Sequence, residues 1–252
     1  MKIVFCFLTY DNIVRYDIWN TFFKNIYYNK YIVYIHPKNI RNISYYNNIY
    51  NFNFKIIKNR VFTKEKYDIN IVRATLKLLE ESYYDDINIS HFIFLSQSCI
   101  PLYNFNKLFD LITIFPNSVI SCIDGNKKER YLQLSTFIKK YIYINNFFKQ
   151  QPNMILIRND VEQLIKFDYT NHYQNMTCPD EHYFINILLH ILKKKIIKKQ
   201  IHFCNYDFKR TQALEFMNID INFINIIRNY GFLFMRKVST KSIIDVNYLL
   251  DV

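Results

Sequence analysis

Short apolar runs alternate with amphipathic stretches in the first part of the chain, and this pattern predicts the order of its strands and helices. Residues 2–8 are interpreted as a buried strand, 14–28 as a helix and 31–35 as a second strand. Strand, helix and strand in that order indicate a βαβ unit and therefore a parallel sheet. The Asn- and Tyr-rich stretch 39–53 is interpreted as a loop, and 54–57 as a third strand.

The apolar run FIFL at 92–95 is the most informative one, because it stops abruptly at Ser96, Gln97 and Ser98. A short apolar run with polar residues at its end is typical of a central strand that is buried on both faces. It follows an amphipathic helix over 68–82, whose apolar stripe lies opposite its charged residues. Since ligands bind beyond the carboxyl ends of strands in open α/β sheets, we expect these three polar residues to line a crevice.

The remaining apolar and amphipathic stretches predict the other strands and helices of an α/β protein. It predicts strands over 119–122, 155–157, 201–204 and 232–235, and helices over 104–114, 179–198, 220–228 and 242–250. Asp160 is expected to cap the helix that follows 155–157. The helix over 179–198 has a proline and two acids at its start and lysines at its end, which complements the helix dipole. With no internal repeat or linker, the prediction is a single domain over 1–252 with a mixed, mostly parallel sheet flanked by helices.

The composition restricts the kind of site that the chain can carry. It has 252 residues, of which 50% are hydrophobic, so a sizeable core is possible. The only two glycines, Gly125 and Gly231, are far apart, which excludes both a GxGxxG and a Walker-type phosphate loop. The five cysteines and six histidines show no metal-ligand spacing, and the isolated cysteines indicate a reducing compartment.

The net charge of +12 favours a polyanionic partner, which could be nucleic acid, an anionic membrane or a nucleotide diphosphate. With 22 Tyr and 23 Phe, a basic nucleic-acid-binding protein on a degenerate enzyme fold is the alternative hypothesis, because such proteins combine phosphate contacts with aromatic stacking. A continuous basic stripe away from the candidate catalytic residues would favour it. The lysine run over 193–199 fits such a stripe, or equally an ordinary solvated helix end.

Four stretches carry a resemblance to a known family. They are KIVFCFLTYDNIVRYDIWNTFFKN with the later YIVYIHP, then FLSQSCIPLYNF, then CPDEHYF, and finally FLFMRKVS. In this order and spacing they resemble the core-2/I-branching β-1,6-N-acetylglucosaminyltransferases, especially the plant-type members, over essentially the whole chain. The resemblance implies a GT-A-like, Rossmann-like fold.

The same resemblance implies an activity. That activity is an inverting transfer of a sugar from a UDP-sugar to a hydroxyl of a glycan or glycoprotein acceptor. N-acetylglucosamine is the first candidate for the transferred sugar. A xylosyltransferase-like activity is the alternative within this class, since peptide xylosyltransferases share the motifs. Nucleic acid is not an expected partner. Family members are usually anchored in the Golgi, whereas no signal or anchor is visible before the run 3–8, so the expectation is a soluble, cytoplasmic protein.

Glu181 is the candidate catalytic base. In the predicted helix over 179–198 it shares a face with Phe184 and Leu188, so its carboxylate is partly desolvated and suited to take a proton from a sugar hydroxyl. The resemblance implies the same role, because Glu181 matches the glutamate of the family's PDE motif. The other interpretation is that Asp180 and Glu181 merely charge the start of a helix.

Two cations are the candidate ligands of the departing diphosphate. The sequence has no Asp-x-Asp motif, with which many transferases of this fold hold a metal ion. The resemblance implies a mechanism without metal or other cofactor, in which one Arg and one Lys neutralise the diphosphate. Lys237 matches the family lysine, and Arg210 is the candidate arginine, with Lys209 as its rival. The other interpretation is that Arg236 and Lys237 are ordinary charges at the end of a strand.

The candidate contacts of the donor nucleotide and sugar are Thr9, Ser96, Gln97, Ser98 and Asp180. Thr9 follows the first strand, where this architecture usually places the nucleotide base. The three residues after the central strand have hydrogen-bonding side chains suited to ribose or sugar. The other interpretation is that they only satisfy the backbone of the turn.

Overall fold

Strands and helices alternate along the chain in the computed structural model, which describes residues 1–63, 68–123, 128–206 and 213–251. In chain order the strands are β1 (Lys2–Thr9), β2 (Tyr31–Pro37), β3 (Phe54–Ile56), β4 (Ile89–Ser96), β5 (Ile100–Pro101), β6 (Val119–Ile120), β7 (Met154–Ile157), β8 (His202–Cys204), β9 (Phe216–Ile219), β10 (Phe234–Arg236) and β11 (Val238–Ile244). The helices are α1 (Tyr16–Phe22), α2 (Ile43–Ile49), α3 (Ile69–Asp85), α4 (Phe105–Thr113), α5 (Lys128–Leu132), α6 (Thr136–Lys139), α7 (Arg158–Lys166), α8 (Tyr183–Asn186), α9 (Ile221–Asn229) and α10 (Val246–Leu250).

The main sheet is mixed and mostly parallel, with the strand order β3-β2-β1-β4-β7-β6. Strands β3, β2, β1 and β4 are parallel, whereas β7 runs antiparallel to both of its neighbours. Successive residues of β1 enter two different cores: Ile3, Phe5 and Phe7 on one face, and Val4 and Cys6 on the other. Because both faces of the main sheet are buried, the sequences of its inner strands are continuous apolar runs. The predicted α/β fold with a mixed sheet is confirmed.

Two small sheets extend the main sheet beyond the end of β4. One has the order β5-β10-β8 and the other pairs β11 with β9. Leu102 N donates to Leu233 O at 3.0 Å, and Val238 N donates to Ser98 O at 3.0 Å. These bonds place the last third of the chain against the carboxyl end of the central strand.

Trp19 fixes helix α1 to the sheet. Its ring makes edge contacts with Phe5 and Phe7, with centroids 5.7 and 5.0 Å apart, and its Nε1 donates to Cys99 O at 3.0 Å. The helix is shorter than the predicted 14–28, because Asn25 takes a left-handed conformation with φ 63° soon after its end. That conformation cannot continue an α-helix.

Helix α2 corrects the prediction that 39–53 is a loop. Asn42 Oδ1 caps it by accepting from Tyr45 N at 3.0 Å, and Tyr46 is buried. Tyr46 Oη donates to Asp11 O at 3.1 Å, and Tyr50 Oη accepts from Ile13 N at 2.9 Å. Tertiary contacts of these tyrosines therefore override the low helix propensity of an Asn- and Tyr-rich segment.

The predicted helix over 179–198 is wrong as a single α-helix. It starts as a 3₁₀ turn at Pro179–Glu181, continues as α8 and ends as a π turn at Ile187–Ile191. Asn186 explains part of this, because its side-chain amide donates to His182 O at 2.6 Å and to Phe148 O at 2.7 Å, and its Oδ1 accepts from Phe148 N at 2.9 Å. A neighbouring segment thus shapes the local geometry.

The lysine run over 193–199 consequently lies outside the helix. Lys193 has φ 53°, which stops the helix, and the segment then runs along the edge of the main sheet. Ile197 N donates to Ser118 O at 2.9 Å, and Ile120 N donates to Ile197 O at 3.1 Å. The lysines therefore cover the edge of β6 and do not complete a helix dipole.

Long-range contacts also change the predicted role of Asp160 and the predicted position of the last strand. Asp160 does not cap α7; it accepts from Ser118 Oγ at 2.6 Å and pairs with Lys194 at 3.7 Å, because β6 places Ser118 beside it. The strand over 232–235 is not the last one, since β11 follows it and takes up the start of the predicted helix 242–250. The helices predicted over 68–82, 104–114 and 220–228 are confirmed as α3, α4 and α9.

None of the helices in the described parts of the chain combines the length and hydrophobicity that crossing a bilayer requires.

Arg158 joins α7 to the end of α3. Its guanidinium donates to Tyr83 O at 3.0 Å, to Asp86 O at 3.0 Å and to Ile89 O at 3.2 Å, and it lies 4.1 Å from the centroid of the Tyr83 ring. Carbonyls at the end of a helix lack partners within the helix. One side chain therefore closes α3 and orients the strand that follows it.

We predict that Arg158→Ala lowers the free energy of unfolding by about 2–3 kcal/mol, because three carbonyls lose a charged donor. Urea denaturation measures the change. Lys166→Ala, on an exposed position of the same helix, is the matched control and should stay within about 0.5 kcal/mol of the wild type. Equal effects of the two substitutions would contradict the role of Arg158.

Candidate active site

A cleft of about 360 Å³ opens beyond the carboxyl ends of β1 and β4. Its lining residues are Leu8, Thr9, Tyr10, Lys38, Thr63, Ile71, Ser96, Gln97, Ser98, Glu215, Arg236 and Lys237. The predicted donor contacts of β1 and β4 thus meet the predicted diphosphate ligand Lys237 in one place. Larger surface hollows, of about 720 and 780 Å³, lie at other edges of the fold, away from these strand ends.

The residues after β4 build one wall of the cleft. Gln97 Oε1 accepts from Tyr10 N at 2.6 Å, and Gln97 O accepts from Val14 N at 2.9 Å. Ser96 Oγ lies 3.2 Å from Cys99 Sγ. This stretch therefore fixes the loop after β1 and also lines the cleft, while its contact with a ribose or sugar stays a prediction.

Arg236 is a residue of the cleft that sequence reasoning treated as a possible surface charge. It ends β10, the middle strand of a small sheet, so it is half-buried. Its Nη1 lies 3.5 Å from Asn153 Oδ1, and its enclosed Nε has no hydrogen-bond partner among the described residues. The signal was the pair of cations in FMRKVS, and the structure places both of them, half-buried, in the lining of the cleft. Arg210 and Lys209 lie outside the described residues.

Glu181 lies at the end of the 3₁₀ turn, next to the segment that precedes β7. Its Oε2 lies 3.0 Å from Lys149 Nζ, and its backbone carbonyl accepts from Gln150 N at 2.7 Å. The side chain of Glu181 is 30% exposed and that of Lys149 is 40% exposed. A carboxylate that is partly open to solvent remains accessible to a substrate. The residue was predicted, but its partner Lys149 was not, because no local pattern links two positions so far apart.

Asp180 is a half-buried acid whose Oδ1 is enclosed and has no hydrogen-bond partner within the described parts of the chain. Burial, followed by the charge of Glu181, raises the pKa of Asp180 to about 6, against the opposing effect of Arg236 and Lys149. Thr9 Oγ1, in the cleft, is a second enclosed oxygen without such a partner. Buried polar groups usually have partners, so each of these two oxygens is available to a hydrogen-bond donor from a ligand or from water.

Tyr206 connects the two halves of the site electrostatically. Burial raises the pKa of Tyr206 to about 12, with Cys204 next in effect; Arg236 lowers it and Glu181 raises it. Both charges therefore act on one phenol, although Glu181 is not among the residues that line the cleft. Asp180 responds to Arg236 in the same way.

The thiols and acids of the site offer no further reactive group. Cys99 and Cys178 are buried free cysteines, and burial raises the pKa of Cys178 to about 11, far from a reactive thiolate. Within the described ranges, no three His, Cys, Asp or Glu side chains gather closely enough to hold a metal ion.

One family model, that of the core-2/I-branching enzymes, matches residues 3–228. The chain belongs to the core-2/I-branching enzyme family. The resemblance inferred from the four sequence stretches is thereby confirmed. The match includes Glu181 and the end of β4, and it stops before the core-2/I-branching chain reaches Lys237.

Known relatives of this core-2/I-branching chain are distant. Glycosyltransferase BC10 of Oryza sativa subsp. japonica is 22% identical over 173 residues, which cover 66% of this chain and 40% of that protein. The chain therefore spans less than half the length of this curated relative.

Two solved structures resemble this core-2/I-branching chain loosely. The galactosyltransferase LgtC, in complex with donor and acceptor sugar analogs, has a TM-score of 0.45 at 13% identity, over 77% of this chain and 72% of that one. The bifunctional glycosyltransferase WbbM has a TM-score of 0.45 at 10% identity, over 93% of this chain and 45% of that one. The α/β assignment therefore rests on the sheet itself and on the family match.

We predict that Asp180→Asn stabilises the protein at high pH. The pKa of Asp180 is raised in the folded state, so the wild type is destabilised as the pH rises from the ordinary value of 3.8 through about 6. The substitution should be near neutral at pH 4 and should add about 2 kcal/mol to the free energy of unfolding at pH 8. Chemical denaturation at both pH values measures this. Asp110→Asn, at an exposed position of α4, is the control, and an equal pH dependence of the two variants would refute the assignment.

Proposed function

We propose that this chain is an inverting glycosyltransferase that moves a sugar from a UDP-sugar to a hydroxyl of a glycan acceptor without a metal ion. The observation that carries the proposal is the cleft in which polar groups from the ends of β1 and β4 meet Arg236 and Lys237. Hydroxyls and amides suit a ribose and a sugar, whereas two cations suit a diphosphate. Membership of the core-2/I-branching family supports the same reaction class.

The diphosphate would bind at the cationic end of the cleft. Arg236 has an enclosed Nε that needs an acceptor, and Lys237 is adjacent to it in the chain. Charge develops on the departing diphosphate as the sugar leaves, and fixed cations in an enclosed site stabilise that charge. Arg236 thus joins Lys237 in the role for which the sequence suggested Arg210.

Glu181 would act as the general base. It takes the proton from the acceptor hydroxyl while the hydroxyl oxygen forms a bond to the anomeric carbon. The bond from that carbon to the diphosphate oxygen breaks, and its electron pair leaves with UDP. Attack and departure take place on opposite sides of the carbon, so the configuration inverts.

The donor sugar is proposed to be N-acetylglucosamine, on the strength of the family resemblance, with xylose as the alternative. Thr9 Oγ1 and Asp180 Oδ1 support a polyhydroxyl ligand, since both are enclosed without partners among the described residues. An acid with its pKa raised to about 6 can accept a hydrogen bond from a hydroxyl or, when protonated, donate one.

We predict that the wild type releases UDP slowly from one UDP-sugar in the presence of EDTA, and that Glu181→Gln lowers acceptor-dependent turnover by about 10²–10⁴-fold, because it removes the base. A coupled assay for UDP over a panel of UDP-sugars measures both. Preference for UDP-N-acetylglucosamine or for UDP-xylose separates the two donors. Failure to turn over or bind any UDP-sugar, even with Mn²⁺ added, would overturn the proposed function.

We also predict that Arg236→Gln and Lys237→Gln each lower kcat by about 10²–10³-fold, because each removes a cation from the leaving diphosphate. Lys241→Gln, at an exposed position of β11, is the matched control and should leave kcat unchanged. Steady-state kinetics with the preferred donor measures the three variants. If either cleft variant behaves like the control, that cation does not contact the diphosphate.

A further inference from the structure

The side-chain amide of Asn153 joins two walls of the candidate site. Asn153 directly precedes β7 and is 2% exposed. Its Nδ2 donates to Cys99 Sγ at 3.2 Å, and its Oδ1 accepts from Arg236 Nη1 at 3.5 Å. Ser96, in the lining of the cleft, has its Oγ 3.2 Å from the same thiol. A continuous chain of side-chain contacts therefore runs from the polar wall of the cleft to its arginine.

The chemistry of the two neighbours determines which way the amide faces. A guanidinium carries donors and no acceptor, so the oxygen of Asn153 has to face Arg236. The amide nitrogen then faces Cys99, whose sulfur can accept its hydrogen. Cys99 is itself held in place, because its carbonyl accepts from Trp19 Nε1 at 3.0 Å and its N donates to Ser96 O at 3.1 Å. The amide thus presents a fixed acceptor to the guanidinium.

Strand pairing also fixes the backbone on both sides of this contact. Met154, the residue after Asn153, pairs with Phe94 of β4, and β10, which ends at Arg236, pairs antiparallel with β5. Strand β5 follows β4 after the three residues 97–99. Asn153 and Arg236 are therefore both anchored on the same short stretch of the chain.

Arg236 is oriented by a neutral group, so its charge stays free for a ligand. It forms no ion pair with a carboxylate of the described residues, and its enclosed Nε lacks a hydrogen-bond partner among them. An aspartate in place of Asn153 would bind the guanidinium more strongly, because charge-assisted hydrogen bonds are roughly twice as strong as neutral ones. The same aspartate would neutralise the cation that an anionic ligand needs.

We propose that Asn153 is a positioning residue, which directs the guanidinium of Arg236 into the cleft and leaves its charge to a diphosphate. The inference rests on the proposed function, in which Arg236 and Lys237 bind the diphosphate of a UDP-sugar. Asn153 acts only through Arg236 in this role and touches neither the sugar nor the nucleoside. Its contribution is therefore confined to the diphosphate part of the donor.

The test compares UDP with uridine, which lacks the diphosphate, by isothermal titration calorimetry of the full chain in EDTA. Asn153→Asp should weaken UDP binding about 10- to 100-fold, because the new carboxylate competes for Arg236. Asn153→Ala should weaken it about threefold to tenfold, because the guanidinium loses its acceptor. Both variants should keep their affinity for uridine within about twofold of the wild type. Asn229→Asp, at an exposed position of α9, adds the same charge elsewhere and should change neither affinity.

A double-mutant cycle separates positioning from ordinary packing. In a chain that already carries Arg236→Gln, Asn153→Ala should have no further effect on UDP binding, because the group through which Asn153 acts is gone. Equal losses of UDP and uridine affinity in both Asn153 variants would overturn the inference and make Asn153 a packing residue. Additive losses of UDP affinity in the cycle would overturn it as well.

The wild type and Arg236→Gln test the proposed function separately on the same preparations. If UDP binding falls in Arg236→Gln but in neither Asn153 variant, the inference alone fails. If the wild type binds UDP no more tightly than uridine, the proposed diphosphate site fails, and the positioning role of Asn153 fails with it.

Discussion

Hydrogen bonds from three directions hold the carboxyl end of β4, and the candidate site depends on them. Gln97 binds the loop after β1 through Tyr10 N and Val14 N, Ser98 O receives Val238 N, and Trp19 of α1 reaches Cys99 O. The first and last parts of the chain are therefore positioned on one short stretch. Because that stretch also lines the cleft, any change in its conformation would move the polar wall and the two cations together.

The physical basis of the sheet explains what could be predicted from the sequence. Burial on both faces makes the inner strands continuous apolar runs, so β1, β2 and β4 were evident, and the amphipathic stripe of α3 was equally clear. Helix α2 was missed because its stability comes from Tyr46 and Tyr50 reaching backbone atoms near β1. The π turn at Ile187–Ile191 was missed because Asn186 bonds to a segment that lies far away in the chain.

The residues of the candidate site also divide into those that the sequence indicates and those that only long-range contacts reveal. Glu181, Lys237 and the residues after β4 stand in recognisable motifs, and their motifs alone sufficed to single them out. Arg236 stands in the same motif as Lys237, but its partial enclosure follows from the middle position of β10, and the place of Lys149 follows from the bonding of residues 148–150 to the chain around Glu181. No local pattern links Arg236 with Asn153, or Lys149 with Glu181. Long-range pairing supplies that information.

The antiparallel direction of β7 determines where the connection between β6 and β7 lies. Since β6 runs parallel to β4 and β7 runs back, the end of β6 and the start of β7 both lie at the ligand edge of the sheet. The connection between them, with α5 and α6, therefore lies at the same edge of the sheet as the cleft, and its Ile138, Ile142 and Phe147 are buried in the core cluster that also contains Phe92 and Phe94 of β4. Because these side chains belong to the core, a change within the connection would also disturb the packing against the main sheet. Asn153, at the end of the connection, has its Oδ1 3.5 Å from Arg236 Nη1, so the same packing supports one of the two cations of the cleft.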